Sequence, residues 1–294
     1  MTKYLQGLDR AQLWWMLSIE PVVSRELPDL YPYMTVGLVG DGSDCFGFDD
    51  QISTDHDSQT RVKIWLPEGA YSDLAVSRIQ AATSHLSEGT ISVESVAQFY
   101  RRYTGLDWSP QNWREWIAIP EKNLAAATNG DVFYDGGGRF SDRRQRLKDY
   151  YPDDVRLKLL ESRILTMGQA GQYNYPRCLA RGEVVGATLA KARFMEAAIS
   201  AVFLLNRKYC PFYKWAGRAL RDLPLLSEVS GYLEIIATDT GRQDAVESIC
   251  EAVLGKLRLQ GFTDLPTDFL VPHSAAVRGH ISDSELREVN PWKL

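Results

Sequence analysis

Soft metal ligands are scarce in this chain. It has four cysteines and four histidines in 294 residues. Cys45, Cys178, Cys210 and Cys250 form no C-x-x-C pair, which argues against a structural zinc site. The histidines show no ligand spacing; His56 reads as structural, and His85, His273 and His280 as surface residues. No run approaches about 18 uninterrupted apolar residues, so no membrane span is expected. The stretch from Met1 to Leu17 has no basic start, apolar core or small-residue cleavage site, so no signal peptide is expected. Free thiols then point to a reducing, cytoplasmic compartment. Positive charge is also in deficit: 33 Lys and Arg against 38 Asp and Glu leave a net charge of −5. The chain as a whole is no electrostatic glove for nucleic acid. Repeats at a solenoid period and low-complexity tracts are missing too.

The remaining composition is ordinary and globular, with 45% hydrophobic and 24% charged residues. At roughly 150 residues per domain the length suggests two domains. Apolar spacing predicts a helix over Leu8–Leu17, before Pro21 and Pro28 break the pattern. The run 33–40 (YMTVGLVG) reads as a buried strand ending in an Asp41-Gly42-Ser43 turn. A short strand is expected over 52–57, an alternating strand over 61–66, a helix over 70–86 and a strand over 90–96. From about Asp153 the pattern is helical, over 154–169, 184–205, 215–223 and 245–259. The expected fold is therefore α/β plus all-α: an N-terminal domain of residues 1–150 and a C-terminal helical bundle of residues 151–294. Residues 113–149, with Gly136-Gly137-Gly138, form the expected joint.

Chemistry concentrates in residues 40–57, GDGSDCFGFDDQISTDHD. A dinucleotide fingerprint would need a third glycine where Cys45 stands and a helix directly after the turn. The continuation, Phe46-Gly47-Phe48-Asp49-Asp50, is poor helix. The other reading begins at Asp55-His56-Asp57. On a strand, alternate side chains share a face, so Asp55 and Asp57 would point together with His56 opposite. Two adjacent carboxylates repel unless a cation lies between them, and hard Mg²⁺ suits carboxylates shared with substrate phosphates. Backbone N–H groups at Gly42 and the Ser43 hydroxyl would hold phosphate oxygens. Asp49 and Asp50 read as loop-holding acids.

A Gly-Ser turn followed by Asp-x-Asp resembles the signature of the DNA polymerase β-type nucleotidyltransferase superfamily. With it, the words Gly130-Asp-Val-Phe-Tyr-Asp135 and Pro211-Phe-Tyr-Lys-Trp215 are similar to the bacterial DUF4037 family. The resemblance runs from about residue 30 to 225. It implies that Gly42 and Ser43 hold a nucleoside triphosphate, ATP being the expected one, and that Asp55 and Asp57 bind Mg²⁺. It also implies a third carboxylate on a later strand. Glu94 is the expected residue, with Asp131 and Asp135 as alternatives. In nucleotidyltransferases of this build the helical domain supplies cations to the triphosphate. Lys208 and Lys214, among Tyr209, Phe212, Tyr213 and Trp215, are the expected ones, followed by Arg177 and Arg181; Tyr173 and Asn174 lie nearby.

The resulting expectation is an Mg²⁺-dependent nucleotidyltransferase. It would move a nucleoside monophosphate from an NTP to a hydroxyl of a small molecule or protein, and release pyrophosphate. Acidic net charge disfavours a nucleic-acid acceptor. The alternative is a non-catalytic nucleotide-binding sensor or regulator of the same fold, which lack of a third carboxylate would favour.

Overall fold

The computed structural model describes residues 5–50 and 59–294. The strand expected over 52–57, and with it Asp55, His56 and Asp57, lies outside the described residues. The chain divides into two compact units. Unit 1 is Met1–Pro110 with Asn123–Asp149, and unit 2 is Gln111–Lys122 with Tyr150–Leu294. The joint read from the sequence is thus shared out between them.

Unit 1 opens with α1 (Gly7–Trp14), continues through a π-helical turn (Trp15–Ile19) and ends its helical entry in α2 (Glu20–Glu26). Next come β1 (Thr35–Leu38), β2 (Thr60–Leu66), α3 (Asp73–Thr83), β3 (Gly89–Ser95) and α4 (Val96–Thr104). After α5 (Trp113–Ala118), which belongs to unit 2, α6 (Glu121–Thr128) leads back to β4 (Asp131–Asp135) and α7 (Arg139–Lys148). The sheet order is β3-β2-β1-β4. β1 runs antiparallel to β2 and to β4, and β2 runs parallel to β3. A parallel pair needs a crossover, which α3 provides, and Ser72 caps its start by accepting from Ala75 N–H. Ser95 and Gln98 close a capping box at α4, so β3 passes into helix without a loop.

Period-two alternation decides what each face of β2 does. Val62, Ile64 and Leu66 turn into a core with Trp14, Ile19, Val36, Leu38 and Ile79. On the alternate positions stand Arg61, Lys63 and Trp65. Trp65 stacks on Phe140 with ring centroids 4.2 Å apart and meets Phe99 edge-on at 5.3 Å. The second face is therefore apolar towards the C-terminal end of β2 and cationic towards its start.

Every regular element described in unit 2 is a helix: α5, then α8 (Asp153–Met167), a π-helical segment (Gly168–Asn174), α9 (Tyr175–Ala180) and α10 (Val184–Leu205). They are followed by α11 (Tyr213–Leu220), α12 (Val229–Thr238), α13 (Gln243–Leu259), α14 (Leu270–Gly279) and α15 (Ser284–Glu288). α8 packs against α10 and α14. It buries a Lys158–Glu161 ion pair at 2.9 Å, and Lys158 also donates to the Arg287 carbonyl. His273 corrects the surface reading: it is fully buried, its ring nitrogens 2.7 Å from Thr263 Oγ1 and 2.8 Å from the Thr267 carbonyl. Among the described residues no helix is long and apolar enough to cross a membrane.

Candidate functional site

β1 ends in a turn built on two glycines, Gly40 at φ 118° and Gly42 at φ 127°. Both values lie where a side chain is strained, so the chain can turn here only with glycine. Asn129, one residue past α6, fixes the turn from outside. Its side-chain Oδ1 accepts from Gly40 N–H and its Nδ2 donates to the Gly40 carbonyl, each at 2.8 Å. The same junction is held from α7, where Arg144 donates to the carbonyls of Thr128, Asn129 and Gly130.

Beyond the turn, Ser43 starts a short 3₁₀ helix (Asp44–Phe46). Its carbonyl accepts from Phe46 and Phe48 N–H. Its hydroxyl has no partner among the described residues. Asp44 grips Arg61 of β2 through two oxygens, and Arg61 also donates to the Asp41 carbonyl at 3.0 Å. A Cβ at Gly42 would stand 2.1 Å from the Arg61 guanidinium and 2.4 Å from the Asp44 carboxylate. Close approach of Arg61 is thus a sufficient reason for this glycine, besides the phosphate contact expected from the sequence. Asp49 is buried and accepts from Gly7 N–H at 2.8 Å, the loop-holding role expected of it.

Two residues along β2, the half-buried Lys63 amine donates to the Val39 carbonyl at 2.9 Å. Burial pulls its pKa down, while Cys45 and Glu94 act the other way. Tyr103 of α4 accepts from Asp41 N–H and donates to the Asp41 carboxylate at 3.0 Å. Burial and that carboxylate push its phenol up. Cys45, buried behind the turn, is pushed up to about 12 by desolvation and then by Asp44. It is an inert thiol.

Glu94 lies on β3 opposite Trp65, on the same face of the sheet. One carboxylate oxygen accepts from Trp65 Nε1 at 3.3 Å, and the other pairs with Arg102. Each oxygen thus already carries one partner and keeps a further lone pair. Asp135 accepts from Thr35 Oγ1, Gly138 N–H and Ser141 N–H, and so ties β1 to the start of α7. Asp131 is exposed at the head of β4. Among the described residues no three His, Cys, Asp or Glu side chains converge as a metal site.

Gly42, Ser43 and Glu94 therefore share unit 1, and Lys208 and Lys214 belong to unit 2. Both lysines are exposed. The Lys214 amine lies 5.8 Å from the Trp215 ring centroid, and the Lys208 carbonyl accepts from Tyr150. Arg177 stacks over Tyr173 at 4.6 Å. Sequence reasoning passed over Lys63, Arg61, Tyr103 and Asn129. The first two had a signal in the alternation of Arg61-Val-Lys-Ile-Trp, which places both cations on one face of a strand beside the turn. Asn129 had none, because its role depends on a pairing 89 residues away in sequence.

No curated protein matches the chain. A crystal structure of a nucleotidyltransferase-like protein from Exiguobacterium sibiricum 255-15 is similar at 11% identity and a TM-score of 0.36, over 81% of this chain and 74% of that one. The resemblance carried by the words at 130–135 and 211–215 is borne out, for residues 116–216 match DUF4037, a domain of unknown function.

Proposed function

We propose that the chain is an Mg²⁺-dependent nucleotidyltransferase that moves a nucleoside monophosphate from an NTP, ATP first among them, to a hydroxyl of a small molecule or protein. The observation that supports this reading is the glycine turn closing β1. Gly40 and Asp41 N–H are held by Asn129 and Tyr103, which leaves, among the described residues, the Gly42 and Ser43 N–H groups and the Ser43 hydroxyl for a ligand, with the Lys63 amine on the next strand. Fixed N–H groups and a half-buried ammonium suit an oxyanion, because neither needs to reorganise to receive it. Asp55 and Asp57 would hold Mg²⁺, which supplies charge neutralisation for a triphosphate. They rest on the sequence pattern alone. In this reading Ser43 and the turn hold phosphate, and Lys63 offsets charge left on it.

A second reading, a nucleotide-binding protein without turnover, is favoured by Glu94, whose oxygens already have partners in Trp65 and Arg102. Calorimetry with ATP and Mg²⁺, beside pyrophosphate release over a panel of hydroxyl acceptors, separates the two. Asp55→Asn with Asp57→Asn is expected to abolish Mg²⁺-dependent ATP binding with the melting temperature kept. Unchanged affinity in that double variant removes the metal role. If Glu94→Gln leaves turnover intact, Glu94 is structural; binding without turnover in any acceptor supports the second reading.

A further inference from the structure

Unit 2 contains two cavities alongside α10 that the nucleotide reading does not use. One, of about 280 Å³, is mostly apolar and is bounded by Ala170, Leu189, Ala190 and Trp292. The other, of about 340 Å³, is mixed in character and is bounded by Glu121, Arg163, Arg193, Glu196, Ser200 and Leu294. Thr166 and Arg193 line both, so the two adjoin.

The inner wall of the second cavity is a settled network. Ser200 donates to Glu121 at 2.8 Å and accepts from Arg163 Nε at 2.9 Å, and Glu121 also accepts from Cys210 N–H. The outer wall is different. Arg193 and Glu196 stand three residues apart on one side of α10, and neither is in an ion pair among the described residues. Side chains at that spacing begin about 5–6 Å apart. A molecule with its carboxylate and ammonium on one carbon offers each of these long side chains a partner of opposite charge. Arg163 is engaged, donating to Ser200 and to the Leu294 carbonyl, so the open charges on the wall are Arg193 and Glu196, one cation beside one anion, which suits a zwitterion. Beyond Arg193, the apolar cavity has room for a branched or aromatic side chain. Part of its lining, Gln169, Ala170 and Asn174, comes from the π-helical segment, a distortion frequent at functional sites.

We propose that these adjoining cavities bind an apolar α-amino acid, with its carboxylate on Arg193, its ammonium on Glu196 and its side chain against Leu189 and Trp292. The site lies within unit 2 and stands whether or not unit 1 transfers nucleotides.

The test is calorimetry on the full chain without nucleotide. The probes are L-phenylalanine, 3-phenylpropionate and 2-phenylethylamine. L-Phenylalanine is expected to bind saturably, and each singly charged analogue about tenfold or more weaker, the loss of one charge-assisted contact. Arg193→Gln is expected to weaken L-phenylalanine about tenfold and leave 2-phenylethylamine unchanged, and Glu196→Gln to weaken L-phenylalanine about tenfold and leave 3-phenylpropionate unchanged. Both residues are exposed, and an unchanged melting temperature checks that the variants fold. No saturable binding of L-phenylalanine at millimolar concentration overturns the proposal. So does equal affinity for all three probes, or L-phenylalanine binding indifferent to both substitutions.

Discussion

Asn129→Ala is the sharpest perturbation of the turn. Gly40 is buried, and both its backbone groups are satisfied by that one side chain at 2.8 Å. Alanine removes both partners and leaves a buried N–H and a buried carbonyl unpaired. At roughly 1–3 kcal/mol for each orphaned group, the loss is about 2–6 kcal/mol. With about 3 °C per kcal/mol in a domain of this size, the melting transition should fall by about 6–18 °C. Hydrogen exchange followed by mass spectrometry over peptides covering β1 should show the Gly40 amide losing its protection. Asn129→Asp tests the cause. It keeps an acceptor for Gly40 N–H but sets an anion against the Gly40 carbonyl, so it should not rescue. A melting point within about 1 °C of wild type and an unchanged exchange rate at Gly40 would refute the clamp. ATP affinity in the presence of Mg²⁺ should fall with the stability, because the same clamp positions Gly42 and Ser43.

The remaining expectations concern neighbouring residues. Gly42→Ala should lower the urea midpoint clearly more than Gly47→Ala. Gly47 also has a positive φ, but with open space around it, so only the backbone penalty of about 1–2 kcal/mol applies there; equal losses would mean that Arg61 yields freely. Between pH 9 and 10 stability should fall. The unfolded Cys45 thiol ionises from about its usual 9.0, while the folded thiol, held up to about 12, keeps its proton. Each such thiol adds at most about 1.4 kcal/mol per pH unit. Lys63, lowered by burial, works oppositely just below 10.5, so the wild-type slope minus that of Cys45→Ala isolates the thiol; identical slopes count against its burial. Lys214→Ala and Lys208→Ala, if these side chains touch phosphate, should weaken ATP binding about tenfold each with no change in melting temperature. Unaltered affinity returns both lysines to the surface of unit 2.

Much of the fold was legible because it rests on local periodicity. The helix expected over 184–205 is α10 to the residue, since a long run of alanines and larger apolar residues leaves no other period. β1, β2 and β3 fall within two residues of their expected starts. β4 was missed: it is five residues long, begins and ends in aspartate, and is stabilised by pairing with β1 across almost a hundred residues of sequence. The π-helical segment was read simply as polar residues before a helix, because its distortion follows from packing against α8 and α10. At the candidate site, Gly42 and Ser43 carried a signal in residue type and order. Lys63, Asn129 and Tyr103 are common residues whose meaning comes only from where the sheet places them. Glu94 shows the converse: its strand and its sheet neighbour were readable, but its engagement by Arg102 was not.

The path of the chain between the two units has a consequence for synthesis. The backbone leaves unit 1 after Pro110, returns at Asn123 and leaves again after Asp149. The segment Gln111–Lys122 therefore emerges from the ribosome before any other part of the unit it joins. Its buried Trp116 packs edge-on against Tyr151, and Glu121 accepts from Ser200 and from the backbone at Cys210, all of which are translated later. Unit 1 can complete its sheet once β4 has appeared, while this segment still waits for its partners. A nascent chain stalled near residue 150 would display Trp116 and Ile119 to solvent, a hydrophobic handle for chaperones or for aggregation. For the same reason, neither unit can be expressed as a simple contiguous fragment. A cut at residue 150 gives a sheet domain with an orphaned helix and a helical domain with a hole where Trp116 belongs.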